Sequence, residues 1–288
     1  MRYHTPSSFE DATAIAARAT GTTRYLAGGT DVLVQLRSDV VTPDDLIDVK
    51  HIPGVKDITQ TDDGGWRIGV AVAGAEMTEH GGLGRDWPGI VEGMDLIGST
   101  QVQGRATLTG NLCNGSPAAD GVPALIAANA TVTVTGPDGA RDVAVEAIPA
   151  GPGKTTLAQG EMVTAVNIPA RGKNGGDAYL RFIPRTEMDI AVVGCAVNLT
   201  VEGEKITGAR VVLGAVAPTI RAVEDAARAI IGTTLDDAAL NALDAAAQAA
   251  CAPIDDKRGT IEFRTEVAGV LAKRAAKIAY ARARGEAK

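Results

Sequence analysis

The chain has 288 residues, enough for roughly two or three domains, and its formal net charge is −7 at pH 7. With 45% hydrophobic and 22% charged residues it is typical of a globular protein, and its negative balance argues against a general nucleic-acid binder. No apolar run reaches the length of about 18 residues that spans a bilayer, and the N-terminal sequence lacks the hydrophobic region of a signal peptide, so the cytoplasm is the expected location.

The first part of the chain predicts an α/β unit. Ser7 and Glu10 have the spacing of a capping box, which indicates the start of a helix. The elements predicted here are a helix over 8–19, a short strand at 25–27, a helix-like segment after a glycine turn, and a strand at 46–49. We therefore expect a first subdomain over 1–55.

The next part mixes strands and helices and is expected to form a second subdomain over 56–172. An apolar strand is predicted at 65–72, and a helix at 90–99 leads into a long polar stretch. Residues 131–145 are rich in β-branched side chains on both sides of a Pro-Asp-Gly turn, which predicts a hairpin.

After Pro169 the composition changes, and the polar, glycine-rich segment 169–177 is typical of a linker. Three strands with short turns are then predicted, at 178–183, 189–203 and 205–216. Three alanine-rich helices are predicted after them, at 221–231, 236–250 and 260–284. Strands followed by helices predict an α+β domain over 173–288, with a three-stranded antiparallel sheet and three helices.

Two phosphate-binding motifs are suggested by the sequence and fail on inspection. The segment 151–156, GPGKTT, resembles a P-loop, but Ile148 occupies the place of the required first glycine. The segment 81–89, GGLGRDWPG, resembles a dinucleotide fingerprint, but Trp87 replaces its third glycine. Neither motif predicts a nucleotide site.

Metal-binding and nucleophile signatures are also missing from the sequence. The three histidines show no metal-ligand spacing: His4, His51 and His80. The three cysteines are too few and too scattered for a disulfide framework or a zinc site: Cys113, Cys195 and Cys251. We therefore expect no metal ligand and no catalytic side chain in this chain.

Two glycine-rich loops remain as candidate binding elements, in a chain where 34 residues are glycine. They are AGGTD at 27–31 and TLTGNLCNGSPAAD at 107–120. Successive small residues with free N–H groups form nests that bind phosphate oxygens, and the first loop also precedes a predicted helix. Each loop by itself is equally compatible with a simple turn, but together they could clamp a pyrophosphate.

These loops resemble those of the FAD-binding medium subunit of the molybdenum hydroxylases, the family of xanthine dehydrogenase and aerobic carbon monoxide dehydrogenase. The family's loops read close to AGGTDL and TIGGNICNASPAAD. Further similar segments occur in the same order along the chain: GPGKTTL before EMVTAVNIP, RFIPRTEMDIAVV, LGAVAPT and EFRTEVAGVLAKRA. The resemblance therefore covers essentially the whole sequence.

The resemblance implies a two-subdomain FAD-binding fold of the vanillyl-alcohol-oxidase (PCMH) type, followed by the C-terminal domain described above. It implies non-covalent FAD, with 2Fe-2S clusters and a molybdenum cofactor on partner subunits only. The partners would be an iron–sulfur small subunit and a molybdenum large subunit, in a dimer of heterotrimers. The chain would relay electrons from the iron–sulfur subunit through FAD to an external acceptor.

The resemblance also assigns cofactor-binding residues. Those on one side of the pyrophosphate would be Ala27, Gly28, Gly29, Thr30 and Asp31. Those on the other side would be Thr107, Gly110 and Asn111, with Ser116 nearby. Asp120 would accept hydrogen bonds from sugar hydroxyls. Thr109 departs from the family's glycine, and its hydroxyl could either crowd the cofactor or donate a hydrogen bond, the second being the expectation.

Four further residues are assigned near the isoalloxazine ring. Ile97 and Val163 would pack beside it, although ordinary core positions explain them almost equally well. Arg181 and Arg185, with Asp189, would set the charge near the ring, although a surface salt bridge is the alternative.

Two other functions are consistent with such a fold. A stand-alone flavin-dependent oxidase or dehydrogenase would act directly on a small substrate, and would call for a catalytic His, Tyr or Glu that nothing in the sequence marks. A domain that has lost its cofactor would show eroded glycine loops, and these loops are nearly intact. We therefore favour the electron relay.

Overall fold

Three larger sheets and one two-stranded sheet are present in the computed structural model, which describes residues 1–185 and 187–286. Three buried clusters of apolar side chains accompany the larger sheets, and the cluster of the second of these sheets also contains Tyr179, Ala196 and Val212 from the third. The architecture is a mixed α/β fold, as expected from the sequence.

The first sheet is parallel, with strand order β1-β3-β2. Its elements are β1 (Arg2–His4), α1 (Phe9–Arg18), β2 (Thr23–Leu26), α2 (Val32–Arg37) and β3 (Asp45–Asp48). The predicted helices and strands are confirmed, whereas β1 was not predicted because three residues are too short for a periodic pattern. The N-cap of α1 is Ser8 and not Ser7, because the Ser8 side chain accepts a hydrogen bond from the Asp11 N–H.

The second sheet is antiparallel, with strand order β4-β5-β10-β6-β7. The strands of this part of the chain are β4 (Ile58–Gln60), β5 (Trp66–Gly69), β6 (Thr131–Gly136), β7 (Gly139–Ala144), β8 (Pro149–Gly151), β9 (Lys154–Thr155) and β10 (Met162–Ile168). The hairpin predicted over 131–145 is confirmed as β6 and β7. The GPGKTT segment lies in the separate small hairpin of β8 and β9, and not between a strand and a helix as a P-loop would.

Short helices fill the long connection between β5 and β6. They are α3 (Gly74–Glu79), α4 (Gly81–Asp86), α5 (Pro88–Asp95), α6 (Thr100–Gln103), α7 (Leu108–Cys113) and α8 (Gly121–Ala127). The predicted helix at 90–99 corresponds to α5, which begins at Pro88. Ile90, Met94 and Leu125 are fully buried between α5, α8 and the sheet. The other helices were missed because each has fewer than two turns, too few for an amphipathic period.

The third sheet is antiparallel, with strand order β11-β12-β13-β14. Its elements are β11 (Gly175–Phe182), β12 (Val193–Glu202), β13 (Lys205–Gly214), β14 (Arg221–Ala222), α9 (Glu224–Ile230), α10 (Asp237–Ala249) and α11 (Ile261–Ala283). The three predicted strands and three helices are confirmed. The prediction that the first helix begins at Arg221 is wrong, because Arg221 and Ala222 pair with the edge of β13 as a fourth strand.

The long helix α11 packs directly on this sheet. Gly176 of β11 permits the contact, because a Cβ atom at this position would lie 2.1 Å from the Ala279 carbonyl oxygen. Ala272, Ala275 and Ala279 are completely buried along the same helix face. Among the helices of the described ranges, none combines the length and the apolar character needed to cross a bilayer.

Candidate functional site

A cavity of about 770 Å³ lies where the first and second sheets meet. Most of its wall comes from three separate segments of the chain: β2 with the loop after it, the start of α7 with its flanks, and residues 153–163. Ile97 and Val70 are among the further residues that line it. The two glycine-rich loops that the sequence singled out therefore face one space.

The first loop, residues 27–31, approaches the second subdomain closely through Gly28. A Cβ atom at Gly28 would lie 1.9 Å from the carbonyl oxygen of Arg105, and the Arg105 Nε donates to the Gly28 carbonyl at 3.4 Å. Gly29 has φ +83°, in the left-handed region that favours glycine. Within the described residues, the backbone N–H groups of Gly28, Gly29 and Thr30 donate to no protein acceptor. They form a set of free donors at the cavity.

Several polar side chains of the second loop form hydrogen bonds to the backbone of the loop and of the helix that follows it. Thr107 caps α7, since its Oγ1 accepts from the Gly110 N–H at 3.0 Å. Asn111 Oδ1 accepts from the Gly121 N–H at 3.0 Å. Thr107, Gly110 and Asn111 line the cavity, whereas Ser116 does not, and its Oγ accepts from the Ala118 N–H.

The two loops are joined directly by side chains. The Asn114 amide donates a hydrogen bond to the Asp31 carboxylate, and both residues line the cavity. Asp31 was predicted from the sequence as a site residue, whereas Asn114 was not. Asn114 lies inside the quoted glycine-rich stretch, but nothing in its spacing indicates a partner 83 positions away.

Of the third wall segment, residues 153–163, only Val163 was assigned from the sequence as a cofactor-binding residue. Gln159 Nε2 donates to the carbonyl of Ala19 at 2.7 Å and so ties this segment to the end of α1. The Tyr25 phenol contacts the Gly160 carbonyl at 3.5 Å, and burial raises its pKa. The available signal was the GPGKTTL motif, which the resemblance noted and the failed P-loop comparison obscured.

Two threonine hydroxyls at the cavity wall lack hydrogen-bond partners. Thr109 is 3% exposed, and its Oγ1 is buried without a partner among the described residues. The Oγ1 of Thr23, on β2, is in the same situation. Both residues line the cavity.

Asp120 lies behind the cavity wall and not in it. Its Oδ1 accepts from the Tyr179 hydroxyl and its Oδ2 from the Arg181 guanidinium, each at 2.7 Å. Burial raises the pKa of the Asp120 carboxyl, and the positive charge of Arg181 opposes that shift. The structure thus gives each carboxylate oxygen a protein partner, and the contact of Asp120 with a sugar stays a prediction.

The two predicted arginines lie in different surroundings. Arg181 is buried and donates a second hydrogen bond to the Leu96 carbonyl at 2.7 Å, next to Ile97 in the cavity wall. Arg185 is exposed and pairs with Asp189 at 3.1 Å, the surface salt bridge that the sequence analysis left open. Neither arginine lines the cavity, whereas Ile97 and Val163 both do.

The structure thus brings together most of the residues assigned from the sequence. Those that line the cavity are Ala27, Gly28, Gly29, Thr30, Asp31, Ile97, Thr107, Gly110, Asn111 and Val163. Those that do not are Ser116, Asp120, Arg181 and Arg185.

Known proteins resemble the chain over nearly its full length. Residues 1–171 match the family described as the FAD binding domain in molybdopterin dehydrogenase, and residues 178–279 match the CO dehydrogenase flavoprotein C-terminal domain. The carbon monoxide dehydrogenase medium chain of Afipia carboxidovorans is 36% identical, over 98% of this chain and 97% of its own. A putative xanthine dehydrogenase FAD-binding subunit of Escherichia coli K12 is 28% identical, over 99% and 97%.

A solved structure has the same fold. In the reconstituted CO dehydrogenase from Oligotropha carboxidovorans, one chain superposes with a TM-score of 0.93 at 34% identity, and 98% of each chain is covered.

Proposed function

The chain belongs to the FAD-binding family of the molybdopterin dehydrogenases, and from that premise we propose that it is the FAD-binding medium subunit of a molybdenum hydroxylase complex. Non-covalently bound FAD would supply the redox chemistry, taking electrons from an iron–sulfur partner and passing them to an external acceptor. The observation that carries the proposal is the meeting of two glycine loops, distant in sequence, at one cavity.

The cavity suits a dinucleotide in size and in chemistry. Its volume of about 770 Å³ lies within the usual range for small-molecule sites, about 300–1,000 Å³. The free N–H groups of Gly28, Gly29 and Thr30 form a nest of donors for phosphate oxygens. Thr109, whose hydroxyl has no partner among the described residues, lies on the facing wall. We assign the pyrophosphate to these two walls.

The apolar part of the wall suits the flavin ring. Ile97, in the loop after α5, and Val163, in β10, both line the cavity, and we assign them to contacts beside the isoalloxazine. We give Asp120 and Arg181 a supporting role, because Arg181 links the Asp120 carboxylate to the backbone of Leu96 and so holds the segment of Ile97 in place.

The thiols support a division of labour among subunits. An iron–sulfur cluster usually takes four cysteine ligands, and this sequence contains three cysteines. We therefore place the 2Fe-2S clusters on an iron–sulfur small subunit and the molybdenum cofactor on a large subunit, assembled as a dimer of heterotrimers in the cytoplasm. The change from one family match to the next between residues 171 and 178 is in line with a domain limit after residue 172, and within the first match we propose the subdomains 1–55 and 56–172, followed by the domain 173–288.

The test is an absorption spectrum of the purified full-length chain, repeated on the supernatant after acid denaturation. A flavin spectrum that moves into the supernatant, with the mass of FAD, would support the proposal. The proposal would be refuted if no flavin were bound after incubation with excess FAD and also none after co-expression with the proposed iron–sulfur and molybdenum subunits.

A further inference from the structure

Thr109 holds a hydroxyl that the protein itself does not use. Thr109 lies in the first turn of α7, is 3% exposed, and its Oγ1 has no partner among the described residues. A buried polar group without a hydrogen bond destabilises the folded state, so such groups are rare and call for an explanation. Two positions earlier, the Thr107 hydroxyl is fully engaged in capping the same helix. The contrast suggests that the Thr109 hydroxyl serves a bound molecule.

The surroundings of Thr109 favour an anionic acceptor. Thr109 lines the same cavity as Gly28, Gly29 and Thr30, whose N–H groups are free donors. A hydroxyl has one proton to donate, and hydrogen bonds to charged acceptors are the stronger ones. The Asp31 carboxylate in this wall is already bound by Asn114. A phosphate oxygen fits this set of donors better than a neutral group does.

We propose that Thr109 Oγ1 donates a hydrogen bond to the diphosphate of the bound dinucleotide. This inference rests on the proposed FAD binding and adds a specific contact to it. The oxygen is shielded in the present rotamer, so contact requires rotation about the Cα–Cβ bond into another staggered position. The rotation moves the hydroxyl into a different staggered position on Cβ and leaves the backbone of α7 unchanged.

The test compares Thr109→Val with Thr109→Ser in the full-length chain. Valine keeps the shape of threonine and removes the hydroxyl, whereas serine keeps the hydroxyl. We expect Thr109→Val to raise the dissociation constant for FAD by about tenfold to a hundredfold, the usual range for loss of a hydrogen bond to a charged group. ADP carries the same diphosphate, so its affinity should fall by a similar factor. Thr109→Ser should bind both ligands like the wild type.

Thr164→Val is a matched control. Thr164 is also 3% exposed, but it does not line the cavity, and its Oγ1 is hydrogen-bonded to the Thr133 carbonyl and the Thr135 hydroxyl at 3.1 Å. We expect Thr164→Val to lower the melting temperature and leave FAD affinity unchanged. Without FAD, Thr109→Val should melt at the same temperature as the wild type or higher, because an unpaired buried hydroxyl has been removed.

Several outcomes would overturn the inference. Equal FAD affinity of Thr109→Val and wild type would do so, and tighter binding by the valine variant would show that Thr109 crowds the cofactor. A loss for FAD without a loss for ADP would place the contact away from the diphosphate. If Thr109→Val does not fold, Thr109→Ala replaces it in the same comparison. Failure of the wild type to bind FAD would be a different result, since it refutes the proposed function itself.

Discussion

The side chain of Asn114 donates a hydrogen bond to the carboxylate of Asp31, across 83 positions of sequence. Close to it, the backbone of Gly28 packs against that of Arg105. These two contacts set the distance between the glycine loops, and thus the width of the cavity at the place where we assign the pyrophosphate. A site of this kind depends on the spacing of its walls as much as on the residues in them.

Replacing Asn114 by alanine should separate the two loops. The Asp31 carboxylate loses its neutral hydrogen-bond donor and would repel a bound phosphate more strongly. Both geometry and charge therefore disfavour the ligand. We expect FAD to bind about fivefold to tenfold more weakly and unfolding stability to fall by about 1 kcal/mol. Asn241→Ala, at an exposed position of α10, is the control. Fluorescence titration with FAD measures the effect, and equal affinities for both variants would contradict the prediction.

Gly28→Ala should disrupt the site by forcing the backbones of the two loops apart. The new Cβ atom would meet the Arg105 carbonyl oxygen at 1.9 Å, and backbone atoms cannot move aside as a flexible side chain can. We expect a loss of about 1–3 kcal/mol in unfolding stability together with loss of bound flavin. Gly84→Ala is the matched control, because no atom lies within 4 Å of a Cβ there and Gly84 is within α4. That variant should retain flavin and gain slightly in stability. Retention of FAD by Gly28→Ala would show that the close approach is not required.

Asp120 and Arg181 should behave as one unit. Asp120→Ala leaves the buried guanidinium without its counter-charge, so we expect unfolding stability to fall by about 3–5 kcal/mol. Arg181→Met should be comparably destabilising, and the double variant should lose less than the sum of the two. Urea unfolding of the three variants and the wild type measures this coupling. Additive losses would mean that the pair does not act as a unit, and would leave Asp120 free for the sugar contact that the sequence suggested.

Asp177 should make stability depend on pH. It is 3% exposed, and burial raises its pKa from 3.8 to about 6 although Arg171 forms a salt bridge with it. Between these values the folded chain holds a proton that the unfolded chain has released, so this carboxyl's contribution to stability falls as pH rises from about 4 to about 6. The full change is of the order of 3 kcal/mol.

Asp177→Asn removes the titrating group and should remove this slope. The measurement is the unfolding free energy in urea at several pH values between about 4 and 7, for the variant and the wild type. As the pH rises, the unfolding free energy of the wild type should fall relative to that of the variant. Parallel curves would show that Asp177 remains ionised throughout and that Arg171 outweighs burial.

Much of this molecule follows from local sequence patterns. The α/β start, the hairpin around Pro-Asp-Gly, and the C-terminal strands and helices were all predicted, because periodicity and turn chemistry act over a few residues. The two glycine loops were found for the same reason. The start of α9 was placed wrongly: Arg221 and Ala222 fit a helix by propensity, and the open edge of β13 draws them into a strand instead.

What the sequence alone determined is therefore the kind of elements and the position of both loops. The tertiary structure determined which polar groups of those loops are hydrogen-bonded within the protein and which are left available to a ligand. Asp120 has the expected chemistry, yet Tyr179 and Arg181 take both of its oxygens. Thr109 has a hydroxyl like that of Thr107, yet among the described residues only the Thr107 hydroxyl has a hydrogen-bond partner. Hydrogen bonding depends on distances of about 3 Å between residues far apart in the chain, and only the folded structure sets those distances.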